Sequence, residues 1–99
     1  MVEFYSKRQA TAETVVYEWD LTDTLYTGGS ITGGSATHTP PSGSAGTTSV
    51  FVSSPRVFVS LSGLTVTGTH TLEARAAITN AGGVPNEVLA ARWHIQVDA

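Results

Sequence analysis

Glu87-Val88-Leu89-Ala90-Ala91-Arg92-Trp93-His94-Ile95-Gln96-Val97 alternates without a break. Leu89, Ala91, Trp93, Ile95 and Val97 fall on one face, and Val88, Ala90, Arg92, His94 and Gln96 on the other. A period of two is the pleat of a β-strand with one face buried. Glu, Leu and Ala between Val84 and Arg92 are good helix formers and offer a competing helix. The alternation nevertheless continues through Trp93, Ile95 and Val97, and it predicts a strand.

The same period recurs upstream. His70, Leu72, Ala74, Ala76 and Ile78 share a face of the stretch from Gly68 to Asn80. Val57, Val59 and Leu61 do so in Arg56 to Leu61, leaving Phe58 and Ser60 opposite. In Glu13 to Leu21, Val15, Tyr17, Trp19 and Leu21 point one way. Ser49 to Ser53 adds a short apolar strand around Val50-Phe51-Val52. Turn residues punctuate these runs: Gly28-Gly29, Gly33-Gly34, Pro40-Pro41-Ser42-Gly43-Ser44-Ala45-Gly46 and Asn80-Ala81-Gly82-Gly83. Thr32 to Thr48 is expected to be one long loop. Short alternating strands with frequent turns predict an all-β fold, an immunoglobulin-like sandwich of about seven antiparallel strands. Trp19 and Trp93 are the expected core plugs. Residues 13–99 are assigned to the sandwich and residues 1–12 to an N-terminal arm or edge strand.

Composition narrows function. The 99 residues carry a formal charge of −3, and only 13% of them are charged. Five basic residues scattered from Lys7 to Arg92 form no basic stripe, so a nucleic-acid partner is not expected. No apolar run approaches a membrane span, and the start lacks the apolar core of a signal peptide, so the reading is of a soluble chain made in a cytoplasm. There is no cysteine, hence no disulfide scaffold and no Cys-ligated zinc. Thr24 to Pro55 holds no charged side chain. Such a neutral surface of Ser, Thr and Gly suits packing against other protein, although Thr also simply favours pleated strands.

Chemistry is sparse. No two of His38, His70 and His94 share a metal-ligand spacing, and no cofactor or metal is expected. His38, in Thr37-His38-Thr39-Pro40-Pro41, is expected in a solvated loop; His70 falls on an apolar face and reads as a satisfied core residue. Gly-x-Ser-x-Gly is absent and no Ser-His-Asp set follows from spacing, so an enzyme is not expected. Glu18, Asp20 and Asp23 lack the Asp-x-Asp-x-Asp-Gly pattern of a calcium loop. The candidate contact residues are Phe4, Tyr5 and Arg8 in the arm, His38, Pro40 and Pro41 in the uncharged loop, and the outward Phe58. A carbohydrate-binding or adhesive module using Tyr26 and Phe58 as stacking platforms is the alternative.

Tyr17-Glu18-Trp19-Asp20, followed by Leu25, Gly28-Gly29 and Ile31, resembles the opening of small Ig-like tailed-phage virion proteins. Those proteins share a Tyr, an acidic residue, a Trp, a downstream Leu and a Gly-Asp-Thr-Ile run. Gly68-Thr69-His70-Thr71-Leu72, through Thr79-Asn80-Ala81-Gly82 and on to Val97, is similar to that family's closing hairpin. His70 stands where the family has Tyr, Ser30 where it has Asp or Thr, and Ala36 where a second Trp is common. The resemblance spans residues 13–97. It implies a non-enzymatic structural protein of the virion, a fibre–tail adaptor or capsid decoration, synthesised in the host bacterial cytoplasm. The implied partners are other virion proteins and further copies of the chain in a homo-oligomer.

Overall fold

A computed structural model describes residues 2–99, with side chains from Tyr5 onward. These residues form seven strands: β1 (Val2–Ala10), β2 (Val15–Asp20), β3 (Ser30–Thr39), β4 (Thr47–Ser53), β5 (Arg56–Ser62), β6 (Gly68–Thr79) and β7 (Glu87–Asp98). They divide into a four-stranded sheet, β1-β7-β6-β3, and a three-stranded sheet, β2-β5-β4. The expected all-β sandwich is what forms. The molecule is rod-like, with principal extents of 49 × 21 × 20 Å.

The inner faces meet in one apolar core. Tyr17, Trp19, Val57, Val59 and Leu61 from the small sheet pack with Leu72, Ala74, Ala76, Ile78, Ala91, Trp93, Ile95 and Val97 from the large one. Every one of these positions was legible from alternation. Trp93 packs against two rings, Tyr5 of β1 at 5.5 Å and Tyr17 of β2 at 5.8 Å between centroids. Burying a side chain of this size stabilises the fold by roughly 1.5–3 kcal/mol or more.

Three features depart from the sequence reading. First, the strands are not all antiparallel: β1 runs parallel to β7, from Val2 opposite Ala90 to Ala10 opposite Asp98. Second, Thr32 to Thr48 is not a loop, because its first part continues β3 to Thr39 and its end begins β4 at Thr47. Gly33-Gly34 therefore lies inside a strand. A Cβ at Gly34 would stand 3.1 Å from both Val50 and Val52 of β4, so glycine permits the close approach of the two sheets along this edge.

Third, β3 carries a bulge between Ile31 and Gly33. Ile31 faces the core opposite Ile78; after the extra residue the inward positions become Gly34, Ala36 and His38, opposite Ala76, Ala74 and Leu72. A one-residue insertion flips every following side chain to the other face. His38, expected in a solvated loop, is thereby a buried strand residue.

Gln9 holds β1 to the opposite sheet. Its amide Nε2 donates to the carbonyls of Leu61 and Glu13, each at 3.0 Å, and its Oε1 accepts from the Tyr17 hydroxyl at 2.7 Å. Gln9 is only 3% exposed. Both donor hydrogens are used, so a buried amide is satisfied and the edge strand is hooked over the end of the core.

Candidate interaction surface

The candidate contact residues do not converge. The Phe4 side chain lies outside the described residues. Tyr5 sets its ring against Trp93, and Arg8 pairs with Asp98 across the β1–β7 seam at 3.0 Å in an exposed position. Such a pair contributes about 0–1 kcal/mol. Pro40 and Pro41 sit in the β3–β4 connection at one end of the sandwich. His38 is 6% exposed and presents no contact surface, which corrects its place among the candidates.

Phe58 leads to a surface that the sequence reading found only in part. It lies on the outer face of the small sheet, half-buried, directly opposite Phe51 of β4. The two ring centroids are 6.1 Å apart and the planes are tilted by 38°. Cross-strand aromatic pairs contribute about 0.5–1.5 kcal/mol beyond area burial. Here one member stays in water, because Phe51 is 66% exposed. Val16, 60% exposed, stands diagonally from Phe58, since β2 pairs Val16 with Ser60 and Glu18 with Phe58. Val16, Phe58 and Phe51 thus form an apolar stripe across all three strands. The signal for Phe51 was present: in Val50-Phe51-Val52 the valines take the inner face, which leaves the phenylalanine outside.

Charge borders the stripe. Arg56 lies 3.5 Å from Glu18 and 3.4 Å from Asp20. Asp20 also accepts from the backbone N–H of Thr22 at 2.9 Å, and from its hydroxyl. Those two Thr22 hydrogen bonds, with Arg56 adding to them, hold the Asp20 carboxyl below its ordinary range. Glu18 and Asp20 are therefore engaged with Arg56 and Thr22. Among the described residues no group of three His, Cys, Asp or Glu side chains converges as a metal site.

The outer face of the large sheet is dressed differently. Glu73 takes Arg92 at 3.1 Å and Arg75 at 3.6 Å. Ser6, Lys7, Arg8, Thr69, His94 and Gln96 line an open trough of about 350 Å³ across β1, β7 and β6. A second shallow trough of about 260 Å³ crosses Gly33, Gly34, Ser35, Arg75, Ala77 and Val88. Tyr26, 57% exposed, belongs to the β2–β3 connection.

Comparison with protein-family models and with curated proteins finds no match to this chain.

Proposed function

We propose that this chain is a non-enzymatic structural protein of a tailed-phage virion, a fibre–tail adaptor or capsid decoration that works by repeated protein–protein contacts. The observation that carries an interaction role is the Val16–Phe58–Phe51 stripe. An exposed apolar patch rimmed by polar and charged residues is a usual mark of a protein contact. Neutral Ser, Thr and Gly loops at the ends of the rod suit close packing between copies, and many weak contacts add through valency.

The virion assignment itself rests on the resemblance over residues 13–97. The strand order supports its immunoglobulin-like part. In constant-type immunoglobulin sandwiches the first, second, fifth and fourth strands form one sheet and the third, sixth and seventh the other. Here the division is the same except that β1 joins the far sheet beside β7.

The test is mass in solution, across concentration, for the native chain and the double substitution Phe51→Ser/Phe58→Ser. A native oligomer, or assembly onto a particle, that the double variant loses while keeping its unfolding midpoint supports the reading. A strict monomer that binds glycans overturns it in favour of the adhesive module. Neighbouring genes that encode capsid, portal or tail proteins would support the phage origin, and a neighbourhood without them would count against it.

A further inference from the structure

We propose that His38 and His70 form an acid-sensitive latch, which seats the β3–β4 and β5–β6 connections on one end of the sandwich and releases them on protonation. The inference rests on the fold alone and stands or falls separately from the virion reading.

The hydrogen bonds assign every ring proton. Gly46 N–H donates to His38 Nδ1 at 2.7 Å, so that nitrogen carries no hydrogen. The His38 proton is then on Nε2, which lies 2.8 Å from His70 Nδ1 and donates to it. The His70 proton is in turn on its Nε2, which donates to the Val66 carbonyl at 2.6 Å. The ring centroids are 5.0 Å apart with planes only 4° from parallel. That separation is close to the hydrogen-bond length plus two ring half-widths, so the rings lie edge to edge in one plane. One directional chain therefore runs from the loop before β4, through β3 and β6, to the loop before β6.

Both imidazoles are neutral in this chain, and each ring nitrogen is used once. An added proton has no place to go without breaking a link. On His38 Nδ1 it would oppose the Gly46 N–H, and on His70 Nδ1 it would oppose the N–H of His38. His38 is 6% exposed and His70 1%. Among the described residues no carboxylate offsets a charge there. Residues 40–46 and 63–67 contain no ionisable side chain. The strand partner of His38 is Leu72 and that of His70 is Ile95. Glu73, His94 and Asp98 alternate to the outer face of the large sheet. Burial first, and repulsion from His70 second, hold the His38 imidazolium form below its ordinary range.

The sign follows. An opened end binds the proton at the ordinary histidine value near 6.5, while the closed end resists it. The latch is thus complete above that value and weakens as pH falls below it. The loop side is built to match. A Cβ at Gly46 would stand 2.5 Å from the Ser62 carbonyl oxygen and 3.1 Å from Leu64 Cδ2, so only glycine seats its N–H on His38. Release frees the loop that carries Pro40 and Pro41.

The experiment is imidazole and amide NMR on the full chain, from about pH 7.5 to about 4.5, across the histidine range. At the upper pH both rings should give the Nε2–H tautomer. Exchange protection factors of residues 45–47 and 63–67 should fall by about tenfold per pH unit below the histidine value, as one proton is taken up. Amides in the middle of β6 and β7 should keep theirs. His38→Gln should make loop protection independent of pH. Gly46→Ala should leave the loop unprotected throughout and return His38 to ordinary titration. An Nδ1–H tautomer on either ring, loop protection that ignores pH while His38 titrates, or loss of protection in both sheets together with the loops would each overturn the latch.

Discussion

At the β1 edge of the four-stranded sheet the buried polar group is an amide; at the β3 edge it is a pair of imidazoles. Both networks lie at the same end of the rod, and both fasten the large sheet to backbone groups outside it. Gln9 reaches Leu61 O and takes the Tyr17 hydroxyl, while His38 and His70 connect Gly46 N to Val66 O. Each is fully bonded, as most buried polar groups are. They differ in how they fail. The amide never titrates, and its partner Tyr17 is held neutral by burial, helped by Glu13, with its pKa pushed up to about 12. The β1 clamp therefore yields in alkali, and the histidine chain yields in acid. One domain thus has edges that respond to opposite ends of the pH scale.

The largest expected effect comes from removing the β1 edge outright. Deletion of residues 1–12 takes away the Gln9 hooks, the cover that Tyr5 gives Trp93, and a nine-residue strand. Cooperative unfolding in urea should be lost. A truncated chain that unfolds with the native midpoint would make this segment a dispensable arm. Next is Gln9→Leu, which strands the Tyr17 hydroxyl and the Leu61 carbonyl, at roughly 1–3 kcal/mol for each group left unsatisfied. Denaturation at neutral pH measures it, and the acid dependence set by His38 should persist in this variant.

Tyr17→Phe removes one hydrogen bond from the clamp and leaves the buried Gln9 Oε1 without its donor, which should cost about 1–3 kcal/mol at neutral pH. Its more telling readout is alkaline. The folded phenol keeps its proton while the unfolded one ionises near 10.0, so native stability should decline as pH rises from there through about 12. The phenylalanine variant should lack that decline; if both chains lose stability alike, Tyr17 is not the alkaline group. The smallest effect expected is for Arg8→Ala, which removes an exposed ion pair at the same edge and should shift stability by about 0–1 kcal/mol, less in high salt.

Much of the molecule is legible in its sequence. The inward sets of β2, β5, β6 and β7 are those of the alternation, with Trp19 and Trp93 in the core as expected. Phe58 was correctly placed on an outer face, and its neighbour Phe51 follows from the same parity. Gln9 was missed because a glutamine beside Lys7 and Arg8 looks like part of a polar arm. Only its three partners, one of them 52 residues away, make it a core residue. His38 was misplaced because glycines and prolines on either side of it suggested a loop. The bulge after Ile31 both continues the strand and reverses its facing.

By itself the sequence determined that the stretches of β2, β4, β5, β6 and β7 are strands and which side of most of them is apolar. Those are properties of near neighbours, set by the two-residue pleat. The tertiary structure decided what has no local trace: the parallel docking of β1 on β7, the bulge that turns His38 inward, and the meeting of His38 with His70 across 32 residues. The physical reason is that a buried polar side chain is stable only with its partners in place, and those partners are supplied by distant strands.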